Sequence, residues 1–229
     1  MTVLLAAAVI PPIYLMVYIY RKDKIEKEPA GLIVRLFIFG CVSMIAAALV
    51  ESVLFEQLAG VVNPNSIGYL LIEYFLCVGL VEEFLKYAAL RLASWRNPAF
   101  NYCFDGVVYS VAAAMGFAAL ENISYIGVYG LSVALTRAVT AIPLHCICGI
   151  FMGYYYGMAK YHLRKGRRDR SSRNRWLAIL IPTLIHGFYD FCAASGIQAL
   201  IPVFWVNLIV LDILALRAVN RYARLDRMI

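Results

Sequence analysis

Glu82, Glu83 and Lys86 interrupt the apolar stretch LLIEYFLCVGLVEEFLKYAALRL, and Glu121, His145, His186 and Asp190 interrupt three later ones. An ionisable side chain inside a lipid-spanning segment is costly unless it finds a partner, so such residues read as functional by default. Glu82 and Lys86 are four apart and share a helix face, while Glu83 approaches Lys86 from its other side. Two carboxylates set against one ammonium leave one acid short of a counter-charge, the condition in which a carboxyl serves as general base or acid. Downstream, Phe117 and Glu121 share a face with Asn122 beside them, and His145 lies between Pro143 and the small residues Gly149 and Gly153. His186 and Asp190 are again four apart, a spacing that lets a carboxylate orient an imidazole, and Gly187 permits close helix approach. Carboxylates and imidazoles around one hydrated chamber could activate a water for attack on a carbonyl.

Other chemistries remain open at this point. Glu82, Glu121, His145, His186 and Asp190 offer the oxygen and nitrogen ligands zinc accepts, three of which plus a water would suffice, although no HExxH spacing supports a zinc hydrolase. A proton-coupled transporter could also use buried Glu, His and Asp, yet no inverted repeat or paired broken helices are evident. A retinal pump is excluded because no lysine follows Lys165 to form the Schiff base in the last span. Cys146 adjoins His145, but neighbouring positions on a helix do not face one another, so a Cys-His dyad is not formed there. The six cysteines, mostly within apolar runs, are expected to pack as small hydrophobes.

The elements that must position these groups follow from composition. Hydrophobic residues make up 63% of the 229-residue chain and the mean hydropathy is +0.75, well beyond a soluble domain. An all-α, polytopic membrane protein is expected, built as one unit over residues 1–229. About seven segments are long enough to cross the hydrocarbon, near 2–20, 32–57, 67–92, 105–127, 131–160, 176–195 and 201–219. The net charge of +7 is concentrated in RKDKIEKE, around Arg91 and Arg96, in KYHLRKGRRDRSSRNR and after Arg217, whereas LAGVVNPNSIG, IGVYG and SGIQALIP contain no Lys or Arg. By the positive-inside rule the basic connections are cytoplasmic, giving an outside N-terminus and an inside C-terminus, and nucleic-acid binding is not indicated. The absence of basic residues before the first apolar run argues for a retained span rather than a cleaved leader. Counting about 1.5 Å per residue from the cytoplasmic ends puts Glu82, Glu121, His145, His186 and Asp190 all roughly 14–24 Å deep, so a single cluster is feasible. Glu51, Glu56 and Glu73 read as structural or entry-path residues, and Asp212 as pairing toward Arg217.

With these residues in hand, Glu82-Glu83-x-x-Lys86, Phe117-x-x-x-Glu121-Asn122, His145 before a Gly-rich helix and His186-x-x-x-Asp190 together resemble the PrsW family of intramembrane proteases. That family is related to the type II CAAX prenyl endopeptidases and their bacterial cousins, and the similarity extends to the early basic turn and the DGVVYS segment. The resemblance implies a glutamate-dependent intramembrane endopeptidase of the bacterial plasma membrane. It would make the site-1 cut in a single-pass membrane substrate such as an anti-sigma factor, with no cofactor expected. It also implies catalytic positions at Glu82 and Glu83, with Glu121, His145, His186 and Asp190 as further polar residues of the site and Lys86, Phe117 and Asn122 in support. CAAX endopeptidases carry FxxxH where this chain has Phe117-x-x-x-Glu121.

Overall fold

In lipid no water is available to satisfy free backbone groups, so an apolar chain of this kind folds as helices, which bond every N–H and C=O internally. The computed structural model describes residues 2–229, with side chains from residue 5 onward. Helix α1 (Thr2–Lys22) is followed by α2 (Ala30–Val61) and by a third rod in three pieces: α3 (Ile67–Ile72), a π-helical stretch (Glu73–Leu80) and α4 (Val81–Ser94). Then come α5 (Asp105–Tyr129), α6 (Leu131–Val139), α7 (Ala141–Arg164), α8 (Arg168–Ala194) and α9 (Leu200–Arg224). Among the described residues no strand forms, and an isolated Tyr102–Met228 bridge is the extended pairing present. The all-α expectation therefore holds. Five stretches, α2, α5, α6 with α7, α8 and α9, are long and apolar enough to cross a membrane.

Four local features differ from the sequence reading. The expected continuous span over 131–160 breaks at Thr140, whose φ of −124° and ψ of −76° are not helical. The third rod is not a uniform α-helix: its π-helical turns widen the spiral just before Glu82, bringing Glu73, Tyr74, Val78 and Glu82 onto one cavity-facing side. The basic run at 160–175 is a pair of helix ends rather than a long connection, since α7 continues to Arg164, α8 begins at Arg168, and Gly166 at φ +72° makes the turn. Polar and basic residues continue a helix past the apolar slab without penalty, so hydropathy alone places those ends too early. Asp212, expected to lean on Arg217, forms no ion pair with it among the described residues and instead lines an apolar crevice with Pro143 and Cys146.

Helix α5 is the axis of the bundle. Its first fifteen residues, from Asp105 to Ala119, are buried, and it packs most extensively on α7, α2 and α1. Small residues allow this: a Cβ added at Gly153 would sit 2.4 Å from the Gly106 carbonyl oxygen and from Val107 Cα. By contrast α2 and α9 turn apolar side chains outward, among them Val34, Ile38, Ile45, Ile209 and Ile213, as lipid-facing helices do.

At one end of the bundle the connections after α1 and α4 meet the C-terminus: Lys22 donates to Asn220, Asn101 to Glu26, and Cys103 N–H to the Arg227 carbonyl. The basic clusters thus gather together as the charge pattern requires. This end also buries Asp23, Glu28 and Asp105, with ligand oxygens within 4.8 Å of one another, a cluster the sequence reading did not anticipate. Tyr109 donates its hydroxyl to Glu28. Burial pushes the Glu28 and Asp23 carboxyls above their ordinary range.

Two measurements test this packing. Gly153→Leu should destabilise the fold by about 1–3 kcal/mol or prevent its assembly, because the α5–α7 backbone contact leaves no room; an unchanged melting temperature in detergent would contradict it. A carboxyl whose folded pKa lies above its unfolded value favours the folded state at low pH, and that contribution is lost as pH rises through the folded value. Raising the pH should therefore lower the melting temperature, and Glu28→Gln should flatten that decline.

Candidate active site

Each expected polar residue is carried on a helix that the bundle brings inward. Helix α4, which continues the π-helical stretch, presents Glu82, Glu83 and Lys86; α5 presents Phe117 and Glu121; α7 presents His145; α8 presents His186 and Asp190. The close α8 contact depends on Gly187, where a Cβ would lie 2.7 Å from the Phe75 ring, and on Gly79, whose Cβ would lie 3.1 Å from the Thr183 carbonyl oxygen.

Lys86 occupies the middle. Its Nζ donates to Glu82 Oε2 at 2.9 Å and Glu83 Oε1 at 2.8 Å, and lies 3.0 Å from His145 Nδ1. The Phe117 ring covers it from another side, its centroid 4.0 Å away. An ammonium has three N–H groups and no lone pair, so the contact with His145 makes Nδ1 the acceptor and leaves the ring proton on Nε2. That nitrogen is 2.9 Å from Glu121 Oε2, to which it donates. Both nitrogens of His145 are thereby committed, and the ring stands edge-on to His186 with centroids 5.1 Å apart.

His186 bridges two acids. Its Nδ1 is 2.9 Å from Glu83 Oε1 and 3.7 Å from Glu82 Oε2, and its Nε2 is 3.3 Å from Asp190 Oδ2. The two adjacent glutamates differ in access. Glu83 is completely buried, its Oε2 unbonded among the described residues, whereas Glu82 lines a cavity of about 310 Å³. That cavity reaches from Glu82, His145, His186 and Asp190 past Glu51 and Glu73 toward the end of the bundle opposite the basic connections.

All of the expected catalytic residues and two of the three supporting ones, Lys86 and Phe117, meet in this constellation. Asn122 stands one contact further out: its Nδ2 donates to the Ala8 carbonyl at 3.3 Å and its Oδ1 accepts at 3.1 Å from Nε of Arg137, the guanidinium that pairs with Glu121, so it holds that arginine while tying α5 to α1 and α6. One position apart on a helix is a 100° rotation, which turns Asn122 away from the face of Glu121. Arg137 was missed. It pairs with Glu121, stacks on Tyr125 at 4.0 Å and lines the cavity. The sequence carries a signal for it, a lone arginine in the apolar run LSVALTRAVTAIP. Glu51 and Glu73 also line the cavity, and Glu51 Oε1 is buried without a partner. All six cysteines are free thiols, and none joins this cluster.

Glu82, Glu83, His145 and His186 each offer a ligand atom, all within 4.8 Å of one another, and by donor type they suit zinc. The unbonded Glu83 Oε2 adds one open lone-pair site. The fit fails on Lys86, whose ammonium already lies 2.8–3.0 Å from acceptors on three of the four residues and is itself a cation in their midst. As arranged, the residues suit a resident organic cation and not a metal ion.

The family model described as PrsW family intramembrane metalloprotease matches residues 28–216. Protease PrsW of Oceanobacillus iheyensis is 35% identical over 218 residues, covering 95% of this chain and 95% of the relative. Protease PrsW of Geobacillus kaustophilus is 33% identical, covering 82% and 78%, and that of Bacillus subtilis is 32% identical, covering 83% and 83%. No solved structure matches the chain.

Removing the guanidinium by Arg137→Ala leaves the largely buried Glu121 with only His145 as partner. A loss on the order of 3 kcal/mol is expected by thermal unfolding in detergent, and adding Glu121→Gln should recover part of it. Strictly additive losses in the double variant would show that the two residues are not coupled.

Proposed function

The chain belongs to the PrsW family of intramembrane proteases, and from that premise we propose that it cuts peptide bonds by glutamate-activated water attack, with Glu82 as the base. The observation that carries this reading is the division of labour between the paired glutamates: Glu82 faces the cavity, and Glu83 is sealed behind it between Lys86 and His186.

In the proposed reaction a cavity water gives a proton to Glu82 as its oxygen bonds to the scissile carbonyl carbon. His186, its ring oriented by Glu83 at Nδ1, shares its Nε2–H between Asp190 and the developing oxyanion. The C–N bond then breaks, and protonated Glu82 returns its proton to the leaving amine. Lys86 holds the glutamate pair in place and neutralises charge there, while His145 and Glu121 position that ammonium and do not react themselves. Arg137 lines the cavity wall, with N–H groups beyond those bonded to Asn122 and Glu121 among the described residues, available to the substrate backbone.

The substrate fitting this geometry is an extended segment of a single-pass membrane protein, an anti-sigma factor in the family's setting, in the plasma membrane of a bacterium. If the basic end is cytoplasmic, the cavity opens toward the outer half of the membrane, and the cut is a first, site-1 cleavage near that surface.

Glu82→Gln keeps the volume and removes the base. In reconstituted membranes it should lower cleavage by about 10² or more, and in cells a single-pass protein should accumulate uncut in the comparative membrane proteome. Cleavage at the wild-type rate would sink the assignment.

A further inference from the structure

The matching family carries the description of a metalloprotease, yet the groups that could ligate a metal are gathered around an ammonium. We infer that Lys86 is the resident cation of this centre: it takes the place of a metal ion, and its charge and bulk keep divalent metals out.

Three acceptors lie 2.8–3.0 Å from Nζ, on α4 and α7, one for each N–H of the ammonium, and the Phe117 ring packs against the same group with its centroid 4.0 Å away. Lys86 is only 1% exposed, so no bulk water shares in this solvation. Zinc bonds to oxygen and nitrogen are about 2.0–2.2 Å long. An ion bound by Glu82, Glu83 and His145 would therefore overlap the ammonium. Ligation would also need the His145 Nδ1 lone pair that Lys86 engages, and would set two cations side by side in a dry core.

The same arithmetic predicts what happens when the ammonium is removed without losing the stem. Lys86→Met leaves two carboxylates and two imidazoles around a vacated centre with no counter-charge, which is the donor set of a zinc site. Lys86→Arg keeps the charge and should keep metal out. The inference rests on the proposed function only in taking this cluster as the reaction centre.

The test is metal content of the purified full-length protein in detergent, equilibrated with Zn2+, passed through a desalting column and analysed by elemental emission. The wild type and Lys86→Arg should hold no more zinc than a Glu82→Gln, His145→Ala control. Lys86→Met should hold about one zinc per chain, at least about ten-fold above wild type, and with Co2+ should show the visible absorption of a four-coordinate site. Stoichiometric zinc in the wild type that the control lacks overturns the inference, as does a folded Lys86→Met chain that takes up none. If Lys86→Met cannot be purified folded, the wild type and Lys86→Arg decide. Substrate cleavage in the same samples separates the two ideas. A zinc-loaded wild type that stops cutting after chelation removes the inference and leaves a protease, whereas a metal-free wild type with no cleavage sustains the inference and removes the proposed function.

Discussion

A buried ammonium with three hydrogen-bond donors must find three acceptors or leave the core, and the arrangement of the middle of this protein follows from how Lys86 does so. Its acceptors are Glu82 and Glu83 on its own rod and His145 from α7. Removing any one strands a charge where solvent cannot compensate, at a cost that for buried pairs is commonly about 3–5 kcal/mol. The constraint then propagates outward. Because Lys86 holds Nδ1 of His145, that ring can donate only from Nε2, which directs it to Glu121, which in turn is held by Arg137 on α6. A chain of partners thus runs from α4 through α7 and α5 to α6.

Such a chain tolerates little positional error, and two devices supply the precision. Glycines at the α5–α7 and α8–π-helix crossings let backbones touch, so helix spacing is set by main-chain atoms and not by adaptable side chains. The widened π-helical turns before Val81 rotate the rod so that Glu82 reaches the cavity while Glu83 faces inward. Adjacent residues on a helix always diverge by about 100°; what the π-helical stretch decides is which of the two is turned toward water.

The polarity of the molecule has the same economy. Basic residues and their partners collect at one end, where Asp23, Glu28 and Asp105 are buried beneath them. The opposite end holds the cavity with its acidic wall of Glu51, Glu73 and Asp190 and a single guanidinium, Arg137.

Hydropathy and the types of the interrupting residues were enough to establish an all-helical membrane chain and to nominate the residues of the site. A span must be about 20 apolar residues long, and an ion inside one must have a reason to be there. The motifs also resemble those of the PrsW family, to which the matching family model and relatives assign the chain. Other properties had no local signature. The π-helical stretch is a response to packing, because nothing in LIEYFLCVGL departs from ordinary helix-forming sequence, whereas the break at Thr140 does have a local cause in Pro143, whose ring clashes with a helical carbonyl at Val139. That Lys86 sits between His145 and its own two glutamates, that Asn122 turns away, and that Arg137 joins Glu121 across 16 positions are decided by which helices lie side by side. Spacing along one helix specifies a face; only the tertiary structure specifies what that face meets, because the energy of a buried charge depends on partners drawn from distant segments.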